Sequence, residues 1–487
     1  MNKKKEVKIT LVENNRAKKT LAGFIWYFVS SLFPALSSLI IFSLASRQIT
    51  PAELGSITLA TTIAMVLTSI SATGFGDALI QFRNVEDKHL NTVFLLMLLT
   101  STALYFLSLF AVMTIHLAPL DDIFKLVYPI IGVKIILDSC AVLPLSLLTK
   151  KMDFKSIGIR TIYCSLGSTL VCIPILLFNG GFWAVVISQM TSSLISAIIL
   201  WSAARIKPRF SFDKQSFHEL KAFGITTTFT KLVTSISVDN IVIGFFGNAI
   251  TLGVYAFSRR IFSVVSDVLN GALSSVSYPL YASVQADIPK LKNIFLKTTF
   301  ISALVSLPAF LGLMLISPYL VPLVFGEHWS VAIEALQICC TIGFLACIGT
   351  LQMSLLKGLG KTSWILKYQL IQQISTGILA LIFAKYGATY VMGAIALKTY
   401  CIWPFTIIYI SKCLELKIKE YIINLYKPIV GGLVMFIAFR SMAYYSSFQN
   451  PLLFILMEII FCAAIYIIVM LMISKKELLS LVKLIKR

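Results

Sequence analysis

Acidic residues are scarce in this chain. Its 487 residues hold 21 Asp and Glu against 42 Lys and Arg, and charged residues of both signs make up only 13%. Polar stretches long enough for a soluble domain are missing too: 58% of residues are hydrophobic and the mean hydropathy is +0.88. That composition excludes a soluble globular protein and points to an all-α polytopic membrane protein. Histidine is rare. The four, His89, His116, His218 and His328, sit singly at the ends of apolar runs, as interfacial rather than catalytic residues. There is no Walker A pattern, no pair of catalytic carboxylates on a surface loop and no nucleophile–histidine arrangement. These absences argue against an ATP-driven pump and give no support for an enzyme. The nine cysteines lie in or beside apolar runs without metal-ligand spacing to the histidines, and read as small core residues. No cofactor or metal is expected; a coupling ion, if the protein uses one, would be H+ or Na+.

The formal net charge of +21 would suggest nucleic acid in a soluble protein. Here the basic residues sit in short loops between apolar runs, so they report topology and no nucleic-acid partner is expected. About fourteen runs are long enough to cross a bilayer. They fall near 21–45, 52–74, 90–115, 123–148, 156–178, 182–204, 219–245, 251–277, 294–317, 331–356, 363–384, 388–411, 425–446 and 451–473. The first exceeds a signal-peptide core and reads as an uncleaved helix. Basic residues crowd the N-terminal tail (Lys3, Lys4, Lys5, Lys8, Arg16, Lys18, Lys19), alternate loops such as 205–221 (Arg205, Lys207, Arg209, Lys214, Lys221) and the C-terminal tail. The opposite loops hold only Arg47, Lys125, Lys385 and Arg440. Both termini are therefore expected in the cytoplasm.

The chain repeats itself weakly at roughly 200 residues. Pro51-Ala-Glu-Leu-Gly55 opens one run and Ala249-Ile-Thr-Leu-Gly253 another; the connections at 147–156 and 355–364 correspond, as do the turns at Gly180-Gly181 and Gly387. The spacing predicts a cytoplasmic tail over 1–20, a six-helix lobe over 21–206, a cytoplasmic linker over 207–218, a second six-helix lobe over 219–413, an extra helix pair over 414–473 and a cytoplasmic tail over 474–487. Six is even, so both halves would insert alike, about an axis along the membrane normal.

Charge lies at membrane depth. Residues 231–267 read as two apolar helices joined by a tight Gly247-Asn248 turn, with Lys231 and Asp239 on the first and Arg259, Arg260 and Asp267 on the second. Counted from the turn, Asp239 and Arg259 lie about 12–17 Å below the same surface. A charge there costs at least about 2.5–3.5 kcal/mol, so such residues face a bundle interior or a wet cavity. Two readings stand: a structural ion pair, or contact with substrate or ion. Lys134 and Asp138 share a helix face at i, i+4 and could simply neutralise each other. Lys398 lies in the twelfth run, Glu334 starts the tenth and Glu458 lies in the fourteenth, outside the two halves. Lys134, Lys231, Arg259, Arg260 and Lys398 outnumber Asp138, Asp239 and Asp267, and a positive cavity suits an anionic head group such as phosphate. Pro34 is the hinge candidate of the first run, against a static kink.

A set of short stretches carries a family resemblance over residues 20–410. They include TPAELGSITLA at 50–60, GFGDALIQ at 74–81, LLTKKMDF at 147–154 and GGFWAVVISQ at 180–189. After KPRFSF at 207–212 come FGITTTFTKLVTSISVDNIVIG at 223–244, LGVYAFSRR at 252–260, SYPLYASVQAD at 277–287 and FGEHW at 325–329. By these the chain resembles the Wzx-type polysaccharide flippases, in the colanic-acid and teichuronic-acid exporter-like branch of the multidrug/oligosaccharidyl-lipid/polysaccharide exporter superfamily. The resemblance implies two six-helix lobes around a central cavity and alternating access. It implies an undecaprenyl-pyrophosphate-linked oligosaccharide as substrate, moved for O-antigen, capsule or exopolysaccharide synthesis. Membrane lipids, a polymerase and a chain-length regulator of the same pathway are the implied partners of an expected monomer in the bacterial inner membrane. Asp239 falls on the family's acidic position and Arg259 on its basic one; Arg260 stands where a small residue is usual. The rivals are a multidrug or cation antiporter of the same superfamily, which would favour acidic cavity groups, and a membrane polysaccharide polymerase or ligase, which would need a substantial external loop.

Overall fold

A backbone in lipid must satisfy its own hydrogen bonds, and an apolar chain without strand-like alternation does so as helices. The computed structural model describes residues 37–114, 122–445 and 451–475, and among these all regular structure is helical. The protein is a multi-pass membrane protein. By contacts the chain divides into two units, Met1–Ile241 and Val242–Arg487.

The first unit contains α1 (Ser37–Ser46), α2 (Pro51–Ile70), α3 (Gly74–Gln81), α4 (Asp87–Thr114), α5 (Asp122–Lys150), α6 (Phe154–Leu177), α7 (Phe182–Ala204), α8 (Lys214–Ser235) and the start of α9 (Val238–Phe246). The second contains the rest of α9, then α10 (Ala249–Ser283), α11 (Ile288–Phe325), a 3-10 turn (Glu327–Ala332), α12 (Ile333–Thr341), α13 (Gly343–Gly358), α14 (Thr362–Phe383), α15 (Ala388–Leu414), α16 (Ile418–Tyr445) and α17 (Pro451–Ile473). α8 packs on α2 and α3 within the first unit, whereas the repeat spacing puts its residues at the head of the second half.

Among the described residues ten helices are long and apolar enough to span, and twelve if two bent pairs each count once. The bent pairs are α8 with α9, at 57°, and the 3-10 turn plus α12 with α13, at 41°. The sequence reading, about fourteen runs, also counts α10, which is long enough but carries Arg259, Arg260 and Asp267, and the first run, of which the structure describes only residues from Ser37 on. Pro34 and His116 lie outside the described residues.

The weak repeat is written in the turns. After α5, Met152 takes a left-handed φ of 56°, its N–H donates to Thr149 O at 3.0 Å, and Asp153 N donates to Leu148 O at 2.9 Å. After α13, Gly360 takes φ 70°, its N–H donates to Lys357 O at 3.0 Å, and Lys361 N donates to Leu356 O at 2.9 Å. Both are left-handed helix stops of one kind, which satisfy the last carbonyls of the helix before them. Likewise α2 and α10 open on side-chain caps: Thr50 accepts from Glu53 N and Asn248 from Thr251 N. α7 and α15 open on Gly181 and Gly387, both at positive φ, and close on Arg205 and Glu415 in the left-handed region.

Close helix crossings set the rest. A Cβ on Gly74 would lie 2.2 Å from Thr228 N and 2.4 Å from Gly224 O, so only glycine lets α3 lie against α8. Gly432 of α16 faces Leu307 of α11 in the same way, at 2.2 Å, and α17 packs Phe454, Ile455, Glu458, Cys462, Tyr466 and Met470 inward against α11 and α16. Glu458 is therefore buried in the packing of α17 on α11 and α16.

Candidate functional site

In the first unit the charge is organised by a helix break. α2 stops at Ile70, Ala72 turns left-handed at φ 61°, and α3 restarts at Gly74. A break exposes backbone groups that a continuous helix would pair. Here α8 supplies the partners. Thr228 Oγ1 accepts from Gly74 N at 3.1 Å, Thr227 Oγ1 donates to Gly74 O at 2.9 Å, and Lys231 Nζ donates to Thr73 O at 3.2 Å. Lys231 then reaches Asp77 in the first turn of α3, with Nζ 2.9 Å from Oδ2, both side chains a little over one-third exposed. Asp77 escapes the sequence reading because the break lets the chain re-enter a helix past the expected end of the second run at 74. Its only signal is that it lies inside the GFGDALIQ stretch.

Lys134 Nζ on α5 lies 3.6 Å from Asp138 Oδ2, one turn on, and donates to Ser193 Oγ of α7 at 2.7 Å. The lysine thus ties α5 to α7 as well as pairing within its own helix. Asp239 is buried, 9% exposed, in the first turn of α9, where the helix dipole favours a carboxylate. Its neighbour Asn240 reaches Thr62 Oγ1 of α2 at 3.4 Å. The α8–α9 bend falls between Lys231 and Asp239, so the two stand on different helices rather than one.

In the second unit α10 carries the other charges, and its rotation is set by aromatic packing. Phe257 stacks on Trp329 with centroids 4.1 Å apart and planes at 8°, both fully buried. Ser258 Oγ donates to Val254 O at 2.9 Å and to Ala332 O at 3.2 Å, and Phe262 stacks on Phe310 at 5.0 Å. With 257, 258, 261 and 262 turned inward, helical geometry turns Arg259 and Arg260 outward, and both are exposed. The Arg259 guanidinium lies 6.0 Å from the Tyr255 ring centroid, one turn back. Asp267, two turns beyond Arg260, is exposed too, and further along the same side a Cβ at Gly271 would meet nothing within 4 Å. At the back of the helix Thr350 Oγ1 donates to Asn270 Oδ1 and Asn270 Nδ2 to Ser266 Oγ, each at 2.8 Å, which locks α10 to α13.

Lys398 on α15 stands apart from this stripe. Its Nζ donates to Thr376 Oγ1 at 2.6 Å and to Gln372 O at 3.5 Å, both on α14. The α12–α13 break is closed from α15, where Tyr400 Oη donates to Thr341 O at 2.7 Å. At the polar rim of the first unit, Glu86 N donates to His89 Nδ1 at 3.1 Å, so Nε2 carries the proton that His89 shares with Glu219, 2.9 Å away. Within the first unit Lys231 pairs with Asp77, and Lys134 with Asp138 and Ser193; within the second Lys398 meets Thr376, and Arg259, Arg260 and Asp267 share the exposed side of α10. Among the described residues no group of histidine, cysteine and carboxylate side chains could hold a metal ion.

The chain is similar along most of its length to bacterial surface-polysaccharide proteins. It is 24% identical over 337 residues to the teichuronic acid biosynthesis protein TuaB of Bacillus subtilis, covering 67% of this chain and 69% of that one. It is 24% identical over 350 residues to the lipopolysaccharide biosynthesis protein WzxC of Escherichia coli, covering 68% of each. In fold it is similar to the lipid II flippase MurJ in an inward closed conformation, with a TM-score of 0.76, 17% identity, and 93% of this chain and 99% of that one covered. It is also similar in fold to an inward-facing multidrug resistance MATE transporter of the MOP superfamily, with a TM-score of 0.63, 15% identity, and 78% and 96% covered. A family model described as polysaccharide biosynthesis protein matches residues 44–334, more than half of the sequence, and the chain belongs to that family.

Proposed function

We infer that the protein is a flippase, a transporter and not an enzyme, which moves lipid-linked oligosaccharide repeat units across the bacterial cytoplasmic membrane for surface-polysaccharide synthesis. The observation that carries this reading is the exposed, charged Arg259–Arg260–Asp267 side of α10, a helix long enough to span. Two guanidinium groups and a carboxylate cannot face hydrocarbon at depth, so the stripe borders water. Its net charge is positive. Guanidinium offers a planar fork of donors matched to phosphate oxygens, and charge-assisted contacts of this kind are the strong ones. A pyrophosphate-linked lipid is the ligand whose chemistry fits, and the similarity to TuaB and WzxC supports the same substrate class. A cation antiporter would need an acidic stripe instead.

In this mechanism Arg259 binds the pyrophosphate. Asp239, buried in the first turn of α9, is a further candidate substrate residue. Lys231, Lys134, Asp138 and Lys398 are the other candidate substrate-contact residues. Both termini face the cytoplasm in this reading, which the basic residues of alternate loops support. The protein works as a monomer beside the polymerase and chain-length regulator of its pathway, and any coupling ion is H+ or Na+. In a strain lacking the wild-type copy, Arg259→Gln is expected to reach normal protein level yet abolish polymer export, with lipid-linked repeat units accumulating on the cytoplasmic side. Arg259→Lys keeps the charge but loses the fork, and is expected to be intermediate. Full export by a stably expressed Arg259→Gln protein would rule Arg259 out as the ligand.

A further inference from the structure

The second unit holds a cavity that the charged stripe does not use. It measures about 700 Å³ and runs between α12, α14 and α15, walled by Ile338, Leu379, Phe383, Tyr390 and Leu397. Gly393 opens its floor: a Cβ there would meet no atom within 4 Å. Lys398 also lines it, but its ammonium is turned to Thr376 and Gln372, so the cavity receives the methylene stem rather than the charge. The walls are therefore apolar. A cavity of this size lies within the range of small-molecule sites.

Its shape narrows the occupant. Along α15 the lining residues are Thr389, Tyr390, Gly393, Ala394, Leu397, Lys398 and Cys401, one helix face read at steps of three and four. From 389 to 401 that face is about 18 Å long at 1.5 Å per residue. It starts beside the Gly387 turn and stops near the middle of α15. A hydrocarbon core about 30 Å thick gives each leaflet about 15 Å, so the groove is one leaflet deep. Dividing the volume by the length leaves a section of about 40 Å², wide enough for a methyl-branched chain. The only basic residue between α14 and α15 is Lys385, as expected of an external turn, so the groove opens into the outer leaflet.

We propose that this groove seats the polyprenyl chain of the lipid-linked substrate once its head group has reached the outer leaflet, a proposal that rests on the flippase reading above. The protein would then hold the substrate at two places in one unit, the phosphate at the α10 stripe and the chain along α15. Holding the tail in the arrival leaflet would let the polar head group be released without the lipid slipping back.

The test uses full-length protein in nanodiscs with two photoreactive lipids, a diazirine polyprenyl phosphate and a diazirine phosphatidylglycerol. The polyprenyl probe is expected to label the peptide containing residues 389–401, and unlabelled polyprenyl phosphate to compete. Gly393→Leu fills the open floor and is expected to cut that labelling about tenfold. Leu397→Trp narrows the mouth from an exposed position and gives the same readout should Gly393→Leu fold poorly. Equal labelling by the phosphatidylglycerol probe, with no competition by polyprenyl phosphate, would overturn the proposal and leave a crevice for bulk lipid. Polymer export separates the two levels. If Gly393→Leu and Leu397→Trp both export normally while Arg259→Gln does not, the groove proposal fails and the flippase stands. If deletion of the protein leaves no lipid-linked intermediate, the flippase reading itself fails.

Discussion

At the scale of single residues, the choice of partner decides what a charge in the membrane can do. Lys231 sits where a helix break leaves Thr73 O in need of a donor, and Asp77 lies one turn beyond on α3. Both side chains are more than one-third exposed, so the attraction is screened and is worth up to about 1 kcal/mol rather than the several of a buried pair. Asp77→Asn is expected to lower the stability of the purified protein by about that amount. A double-mutant cycle with Lys231→Met is expected to recover most of it as coupling energy. Additive single effects in detergent thermal melts would mean that Lys231 draws its stability from its other contacts instead. Arg259 presents the opposite case. Its neighbours Phe257 and Ser258 are committed to packing, so helical geometry turns it to the exposed side of α10.

Helices and turns form the next scale. The stops after α5 and α13 share one hydrogen-bond pattern, but one places methionine and the other glycine at the left-handed position. A side chain at φ near 60° crowds the following carbonyl and costs roughly 1–2 kcal/mol, which glycine avoids. Met152→Gly is therefore expected to raise stability by about 1 kcal/mol and Gly360→Ala to lower it by about as much. Opposite shifts in melting temperature would bear this out. Equal shifts of one sign would mean that side-chain contacts, not backbone conformation, govern these turns. Turn chemistry made both joints legible in the sequence, as it did the starts of α2 at Pro51 and α10 at Ala249. The interruptions at 71–73, 236–237 and 342 were not legible, since all three lie inside apolar runs without proline. Serine, threonine and isoleucine tolerate a break when neighbours satisfy the freed groups, and the neighbours come from distant sequence: Thr228 and Lys231 for one break, Tyr400 for another.

For the whole molecule, topology is the property that every functional statement depends on. The segment 205–213 between α7 and α8 is pinned to the start of α4, where Arg209 N donates to Asn91 Oδ1 at 2.7 Å and Asp213 N to Thr92 Oγ1 at 3.0 Å. The surrounding charge is basic, and on that ground we propose that this segment faces the cytoplasm. In a cysteine-free background Ser211→Cys is expected to resist an impermeant thiol reagent in intact cells and to react in inverted vesicles. Labelling from outside intact cells would reverse the orientation, and with it the direction of transport and the leaflet to which the α15 groove opens.

Composition and periodicity determined by themselves that the chain spans a membrane as helices and where the joints after α5 and α13 fall, because each follows from residues close together in sequence. The same local reading located most of the charges at depth and the i, i+4 pair Lys134–Asp138, but it missed Asp77 and the partners supplied by other helices. Lys231 goes to Asp77, Lys134 reaches across to Ser193 as well, and Lys398 goes to the α14 hydroxyl of Thr376 beside an apolar groove. Only the tertiary structure decided these. A charge in a low-dielectric interior takes whichever acceptor a helix crossing brings within about 3 Å, and the crossings are set by glycines, breaks and stacked rings whose contacts join residues up to roughly 150 positions apart.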